Sequence, residues 1–471
     1  MPSTIFISAG EASGEHYGAL LIAALRDQLA EAGQTASFFG MGGPRMAAEG
    51  LECVVRSEDM AVMGLTEVVR HLPRIYREFR RLKQSIRARR PSVAVLIDFP
   101  EIHFRLAREF HRLGVPVVYF VSPQLWAWKK KRIRLVRKYI DKMLVIFPFE
   151  EPFYRGQGVE AEFVGHPLAE LAAPTVSREH FAAANGLDPL KTWIGLLPGS
   201  RAKEIRDILP EMLRAARELV EHSGERFTAG PDVLKGHGFS RAANSPKTDA
   251  ALATEGICPA EDGFHQGLKP SSSLGNFPAR LKPCPFKADS SSNAVEVTTT
   301  GLEFLIPLAP TLNAEQREEV RQIVATHGGG LALRLVDDAR AALFHSLAAI
   351  VASGTATVEA ALIGNPFVVV YRVSRLTFAI AKRVVKVPFV SMANLIAGKQ
   401  VVPELLQDDF SAENIVQQIK PLLADGPARQ SMMEELARIR GLLATRPTGS
   451  NEGGAIGRVA EVTLEVMRRD D

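Results

Sequence analysis

The chain has 471 residues, a formal net charge of +4, and 46% hydrophobic and 23% charged residues. This is the composition of a globular protein able to bury a sizeable core, divided into two or three domains at roughly 100–200 residues each. No apolar stretch approaches the roughly 20 residues of a membrane-spanning helix. The three cysteines, Cys53, Cys258 and Cys284, form neither a metal-ligand spacing nor an even disulfide set, which fits a reducing cytoplasm.

The chain enters a strand at Thr4–Ser8 with no basic leader or small-residue cleavage site, so no secretory signal is expected. Ser8-Ala-Gly-Glu-Ala-Ser-Gly-Glu-His16 follows, with a helix expected from about His16 to Ala32 and a strand at Ala36–Gly40. Gly10 and Gly14 permit a tight turn, and Ser13, Glu15 and His16 bring polar groups to the carboxyl end of a sheet, where open α/β folds bind ligands. The structural alternative is turn glycines plus a helix cap. The spaced-glycine dinucleotide fingerprint is missing, so no nicotinamide or flavin cofactor is expected.

From Met60 to Ile86, Leu65, Val68, Val69, Leu72, Ile75, Phe79, Leu82 and Ile86 recur at helical spacing, and Pro73 is expected to split the segment into two helices. Between Arg70 and Arg90 stand nine Arg or Lys residues, Arg77 among them, against one Glu. A stripe of this kind reads either as a core-facing helix or as an interfacial helix on anionic lipid. Trp126 and Trp128, ahead of the basic run Lys129–Lys138, are candidates for the same interface. No nucleic-acid motif accompanies these charges, so no nucleic-acid partner is expected.

Val93–Ile97, Val115–Val121 and Met143–Phe147 read as short buried strands between helices. The first ends on Asp98, in Ile97-Asp-Phe-Pro-Glu-Ile-His103. A carboxylate at the end of an apolar strand is costly unless it faces a cleft or a partner, and burial there raises its pKa towards that of a general base. Asp98 could otherwise cap the following helix, and His103 reads more readily as a surface histidine than as a catalytic one.

The second half repeats the alternation, with strands expected at Trp193–Leu197, Leu302–Leu308, Ala332–Leu335, Ala348–Ala352 and Phe367–Tyr371. After the first of these, Pro198-Gly-Ser-Arg201 offers a backbone bend at Gly199, a hydroxyl at Ser200, and at Arg201 a guanidinium suited to bidentate phosphate binding or to pairing with Glu204. Ala348–Ala352 runs into Ser353-Gly-Thr355 and a helix. Such a turn aims unpaired N–H groups and a helix dipole at one spot suited to a diphosphate, with Glu359, placed in the first helical turn, able to accept from a ribose diol. It also occurs as an ordinary strand-to-helix connection.

Residues 226–300 interrupt this alternation. The segment is rich in Pro, Gly and Ser, lacks periodicity, and falls between a helix (Ile205 to about His222) and a strand. A connection there normally takes two to six residues. Residues 226–300 are therefore expected to be a disordered insertion, or a small independent module, whose removal leaves activity intact. No Asp-x-Asp pair stands near the phosphate-directed turns, so no metal is required.

Taken together, Gly10-Glu-Ala-Ser-Gly14, Phe39-Gly-Met-Gly-Gly43, Met63-Gly64, Ile97-Asp-Phe-Pro100, Ser122-Pro123, Trp126-Ala-Trp128, Phe147-Pro-Phe-Glu150, Phe163-Val-Gly-His-Pro167, Leu197-Pro-Gly-Ser-Arg201, Ser353-Gly-Thr355 and Val402-Pro-Glu-Leu-Leu-Gln407 resemble the lipid-A-disaccharide synthase family. The resemblance covers the chain outside residues 226–300. It departs from the family at Glu15, where the family usually carries Asp.

The resemblance implies an α/β fold of the GT-B kind: two Rossmann-like doubly wound parallel-sheet domains facing across a cleft. It places an acceptor domain at 1–170, a nucleotide-sugar domain at 188–450 interrupted by 226–300, and at 451–471 a last helix returning to the first domain. It implies inverting transfer of 2,3-diacylglucosamine from its UDP conjugate to 2,3-diacylglucosamine 1-phosphate, giving a β-1,6 disaccharide phosphate and UDP without a cofactor. Asp98 is then the base and Arg201 the electrophilic clamp. Gly199, Ser200, Ser353, Gly354, Thr355, Glu359, Asn394, Glu404 and Gln407 face the nucleotide sugar. Gly10, Ser13, Gly14, Glu15, Met63 and Gly64 form the acceptor side, with Leu65, Val68, Val69, Leu72, Ile75, Arg77, Trp126 and Trp128 towards lipid. The family's setting is the cytoplasmic surface of the inner membrane, bound peripherally, as a homodimer. A related UDP-N-acetylglucosamine epimerase or transferase, and a non-enzymatic membrane or RNA scaffold, are the competing readings.

Overall fold

The computed structural model describes residues 3–60, 65–128, 130–171, 173–221, 227–229, 295–297, 301–384, 387–444 and 453–468. The first half builds β1 (Ser3–Ala9), β2 (Ala36–Gly42), β3 (Leu51–Arg56), β4 (Val93–Ile97), β5 (Val117–Phe120), β6 (Lys142–Val145) and β7 (Ala161–Phe163). All pair in parallel, in the order β3-β2-β1-β4-β5-β6-β7. The second half adds β8 (Thr192–Leu197), the short strands β9 (Phe227–Ala229) and β10 (Val295–Val297), then β11 (Leu302–Pro307), β12 (Leu333–Val336), β13 (Ala348–Ala352), β14 (Phe367–Tyr371) and β15 (Glu404–Leu406). Six of these form a second parallel sheet, β12-β11-β8-β13-β14-β15.

Every residue of β4 and of β13 is buried. Helices cover both faces of a parallel sheet, so its central strands read as unbroken apolar runs and not as alternations. Each strand expected from such a run is present. β3, β7 and β15 were not expected: each lies at a sheet edge and carries Glu or Arg within the run.

The break expected at Pro73 does not occur. One helix, Leu65–Arg89, carries Pro73 inside it. Proline removes a single backbone bond, and beyond it Leu82 and Ile86 are fully buried in the core, which holds the helix on course. Of the expected insertion, residues 227–229 and 295–297 are described, and the rest lies outside the described residues. The two short strands pair antiparallel, Phe227 opposite Val297 and Ala229 opposite Val295, so the ends of the segment leave and re-enter side by side.

The last helix, Gly454–Arg468, packs on the first, Ala12–Glu31. Gln28 donates to the Gly457 carbonyl at 3.1 Å, and Arg458 bonds Glu162 at the end of the first sheet at 2.6 Å. Burial of Ile456, Val459, Val462 and Val466 in the same hydrophobic cluster as Ile5, Leu25 and Val95 fixes it there.

Candidate functional site

In both sheets the strand order reverses at one place: between β1 and β4 in the first, and between β8 and β13 in the second. Crossovers leave such a pair in opposite directions, so the carboxyl ends open a crevice where α/β folds take ligands. The Ser8–His16 motif, Asp98 and the two phosphate-directed turns of the sequence sit on these four strand ends.

After β1 the chain turns at Gly10 and Glu11 and enters the helix Ala12–Glu31. This helix starts earlier than expected, so Ser13, Gly14, Glu15 and His16 lie in its opening turns and not in a loop. Glu15 is already engaged: its Oε1 accepts from the Arg45 N–H at 2.9 Å, tying the first turn to the turn after β2. After β4 come Asp98 and Phe99, both left-handed (φ 51° and 50°), and then the helix Pro100–Leu113. A β-carbon on Gly10 would lie 2.3 Å from the Phe99 ring, so only glycine lets Phe99 seat there.

The Asp98 pKa is pushed up to about 7, chiefly by burial and then by the charge of Glu11, while the Phe99 N–H donated to its carboxylate pulls the other way. Its backbone carbonyl accepts from Tyr119 Oη at 2.6 Å and from His103 Nδ1. His103 is therefore no surface residue. It is fully buried, its pKa is pushed down to about 3 by desolvation, and its Nε2 lies 2.8 Å from Ser8 Oγ.

In the second sheet, β8 ends at Leu197, and Gly199 takes φ 110° with Glu204 Oε2 where a β-carbon would be. Arg201 stands exposed at the head of the helix Ala202–Glu221, its Nη1 3.3 Å from Glu204 Oε1. Beside it β13 runs into Ser353 and Gly354 and then the helix Thr355–Ile363, whose N-terminus has no side-chain cap. Glu359 falls in the second turn of that helix, because the helix begins only at Thr355; burial raises its pKa and the Arg340 charge opposes this. Tyr371, at the end of β14, is close enough to Glu204 and Arg201 for both charges to act on its hydroxyl.

Three expected nucleotide contacts turn out to hold backbone. Asn394 is fully buried and uses all four of its hydrogen bonds: Nδ2 donates to the Val402 carbonyl and Glu404, and Oδ1 accepts from Val401 and Val402. Glu404 accepts from the N–H groups of Val390 and Ser391 at 2.9 and 2.8 Å. Gln407 pairs with both backbone groups of Val373. Together they fasten the segments 372–374 and 390–394 beside Ser353, whose Oγ is 3.4 Å from the Val390 carbonyl.

Met63 and Gly64, expected on the acceptor side, and the side chains of Leu65, Val68, Val69 and Leu72, expected towards lipid, lie outside the described residues. Ile75 packs partly against the core, while Arg77 is exposed beside Glu78. Trp126 is half-buried. Its Nε1 donates to the fully buried Glu150 at 3.0 Å, and its ring meets Phe149 edge-on. Glu150 also accepts from Ser122 Oγ at 2.6 Å and the Phe147 N–H at 3.2 Å, so this carboxylate, whose role was not read from the sequence, anchors the loop after β5. Trp128 is 41% exposed.

Tyr17 was likewise missed. This buried residue of the first helix has its pKa raised by burial and then by the charges of Glu359, in the second half of the chain, and Asp98, in the first. The turn Pro167–Ala169 packs on the helix that carries Glu359. No group of three His, Cys, Asp or Glu side chains placed to hold a metal is found among the described residues.

A family profile described as "Lipid-A-disaccharide synthetase" matches residues 5–228 and 292–448. The chain is 50% identical to the lipid-A-disaccharide synthase of Acidobacterium capsulatum, over 99% of this chain and 96% of that one. It is 42% identical to that of Koribacter versatilis, over 99% of each. Its fold is similar to those of CalG4, the calicheamicin glycosyltransferase (TM-score 0.52, 15% identity, 99% of each chain), and a putative UDP-N-acetylglucosamine 2-epimerase from Listeria monocytogenes (TM-score 0.52, 12% identity, 100% of this chain and 98% of that one).

A raised carboxylate pKa has a definite sign in stability. The native state holds a proton at Asp98 that the unfolded chain releases nearer pH 4, so ionised Asp98 opposes folding in full above about pH 7 and not at all below pH 4. Asp98→Asn is therefore expected to be more stable than the wild type in urea at pH 8, with the gap narrowing at pH 5. Equal stability at both pH values would show that Asp98 is well solvated.

Proposed function

The chain belongs to the lipid-A-disaccharide synthase family, a family of glycosyltransferases, and we propose that it carries out transfer between the two switch points, with Asp98 as base and Arg201 as clamp. The donor in this reading is UDP-2,3-diacylglucosamine and the acceptor 2,3-diacylglucosamine 1-phosphate. The observation that carries it is the placement of Asp98 and of the Gly199–Arg201 and Ser353–Thr355 turns on the strand ends where each sheet reverses, with Tyr17 electrostatically close to both halves.

Inversion needs one in-line displacement at the anomeric carbon. The acceptor 6-hydroxyl attacks, its proton passes to a base, and the bond to the UDP oxygen breaks. A solvated carboxylate is a poor base for an alcohol. Burial brings Asp98 to about 7, where about half of it is ionised at neutral pH and it still holds a proton well. Negative charge gathering on departing UDP meets Arg201 and the N–H groups that open the helices Ala202–Glu221 and Thr355–Ile363. The exposed Arg201–Glu204 pair is worth about 0–1 kcal/mol, little enough for a diphosphate to displace. Asn394, Glu404 and Gln407 act in this reading by fastening the loops around the nucleotide.

Asp98→Asn is expected to fold, to bind UDP, and to lose nearly all transfer, whereas Arg201→Ala loses about 10²–10³ in rate. Wild-type turnover should climb with pH through about 7 as Asp98 ionises. Retained turnover in Asp98→Asn would remove the residue from the base role.

Peripheral binding to an anionic membrane surface is part of the proposal. Arg74, Arg77, Arg80 and Arg81 are exposed along one helix with Tyr76, which is 59% exposed, and Trp128 lies beside a second basic segment. The protein should co-sediment with vesicles containing phosphatidylglycerol and leave them in high salt. Equal retention on neutral phosphatidylcholine vesicles would contradict an electrostatic surface.

A further inference from the structure

We infer that His103, together with Tyr119, is a positioning residue that holds the Asp98 peptide in its left-handed turn and thereby aims the base. The inference rests on the reading of Asp98 as base.

Two adjacent non-glycine residues with φ near +50° are a strained pair, and such a turn persists only where its surroundings over-determine it. Here the restraint is visible. Turning the Asp98 peptide over drives its carbonyl inward, away from water, where a missing donor is expensive. Both lone pairs are met, by Tyr119 Oη from β5 and by His103 Nδ1 from the helix Pro100–Leu113.

The carbonyl can only accept, so His103 Nδ1 carries the ring proton. The ring is neutral, so Nε2 must accept, and Ser8 Oγ–H supplies the donor at 2.8 Å. This assigns the tautomer by chemistry. It also links β1 and the turn after β4, which meet at the first switch point, with the following helix and with β5.

Ser8, His103 and Asp98 share residue types with a hydrolase triad, yet the geometry rules that chemistry out. Ser8 is fully buried, and Asp98 presents its backbone carbonyl to the imidazole. The carboxylate is thereby left for substrate. Imidazole suits the task because its two nitrogens lie on opposite sides of one rigid ring, so a single side chain bridges Asp98 and Ser8. Phenylalanine would fill the same space and lose both bonds.

The test compares His103→Phe, Tyr119→Phe and Asp98→Asn in steady-state kinetics with both substrates, and adds His103→Phe to Asp98→Asn. Loss of either donor is expected to lower kcat about ten- to hundred-fold, with KM for both substrates and UDP affinity little changed. In the Asp98→Asn background, His103→Phe should cost no further activity, because it acts through the carboxylate already removed. Should His103→Phe fail to fold, Tyr119→Phe, which removes one hydroxyl from the same carbonyl, carries the test. Full-rate Tyr119→Phe and His103→Phe enzymes beside a dead Asp98→Asn would overturn the positioning role alone, as would an additive loss in the double variant. An active Asp98→Asn enzyme would overturn the base reading instead.

Discussion

A parallel sheet leaves an opening at its carboxyl edge only where neighbouring strands send their crossovers to opposite faces. Each sheet of this protein has one such place, β1/β4 and β8/β13, and chemistry-bearing side chains gather at both. Two apolar strands end side by side, their helices diverge, and N–H groups, hydroxyls and one buried carboxylate are left facing an uncovered spot. The helix termini, the glycine turns and the raised Asp98 pKa all follow from that geometry.

Placing a carboxylate at such an edge works against folding, because it is strained and desolvated at once. The surroundings are arranged around that cost. Gly10 makes room for the Phe99 ring, Tyr119 and His103 take the inward carbonyl, and Pro100 starts the next helix with φ already fixed. The second half shows the same economy with different groups. Asn394, Glu404 and Gln407 hold backbone, while Arg201, in an exposed pair with Glu204, and the uncapped start of the helix Thr355–Ile363 stand at the strand ends where an anion could be met.

Much of the fold was legible in the sequence, because a buried parallel strand is an unbroken apolar run: Val93–Ile97 and Ala348–Ala352 could be read directly. Strands of three residues could not, since the run in Glu404–Leu406 is shorter than any turn signal that would frame it. Strand ends pointed to the candidate site as well, because a polar residue that stops an apolar run has few places to go; Asp98 and Arg201 were singled out that way. What stayed hidden depends on partners distant in the chain. Nothing local signals that the Gln407 amide pairs with Val373, 34 residues away, and His103 looks like a surface group until Ser8, 95 residues away, is found on its ring. The partner of the Trp126 indole N–H, Glu150, is hidden for the same reason.

The central claim is that two sheet-reversal points hold the two halves of one reaction. A crystal structure with uridine diphosphate bound tests it. The diphosphate should lie on the N–H groups that follow Ser353 and within reach of the Arg201 guanidinium, with the ribose towards Glu359. A nucleotide seated at any other strand end, or on the outer helices, would contradict the account.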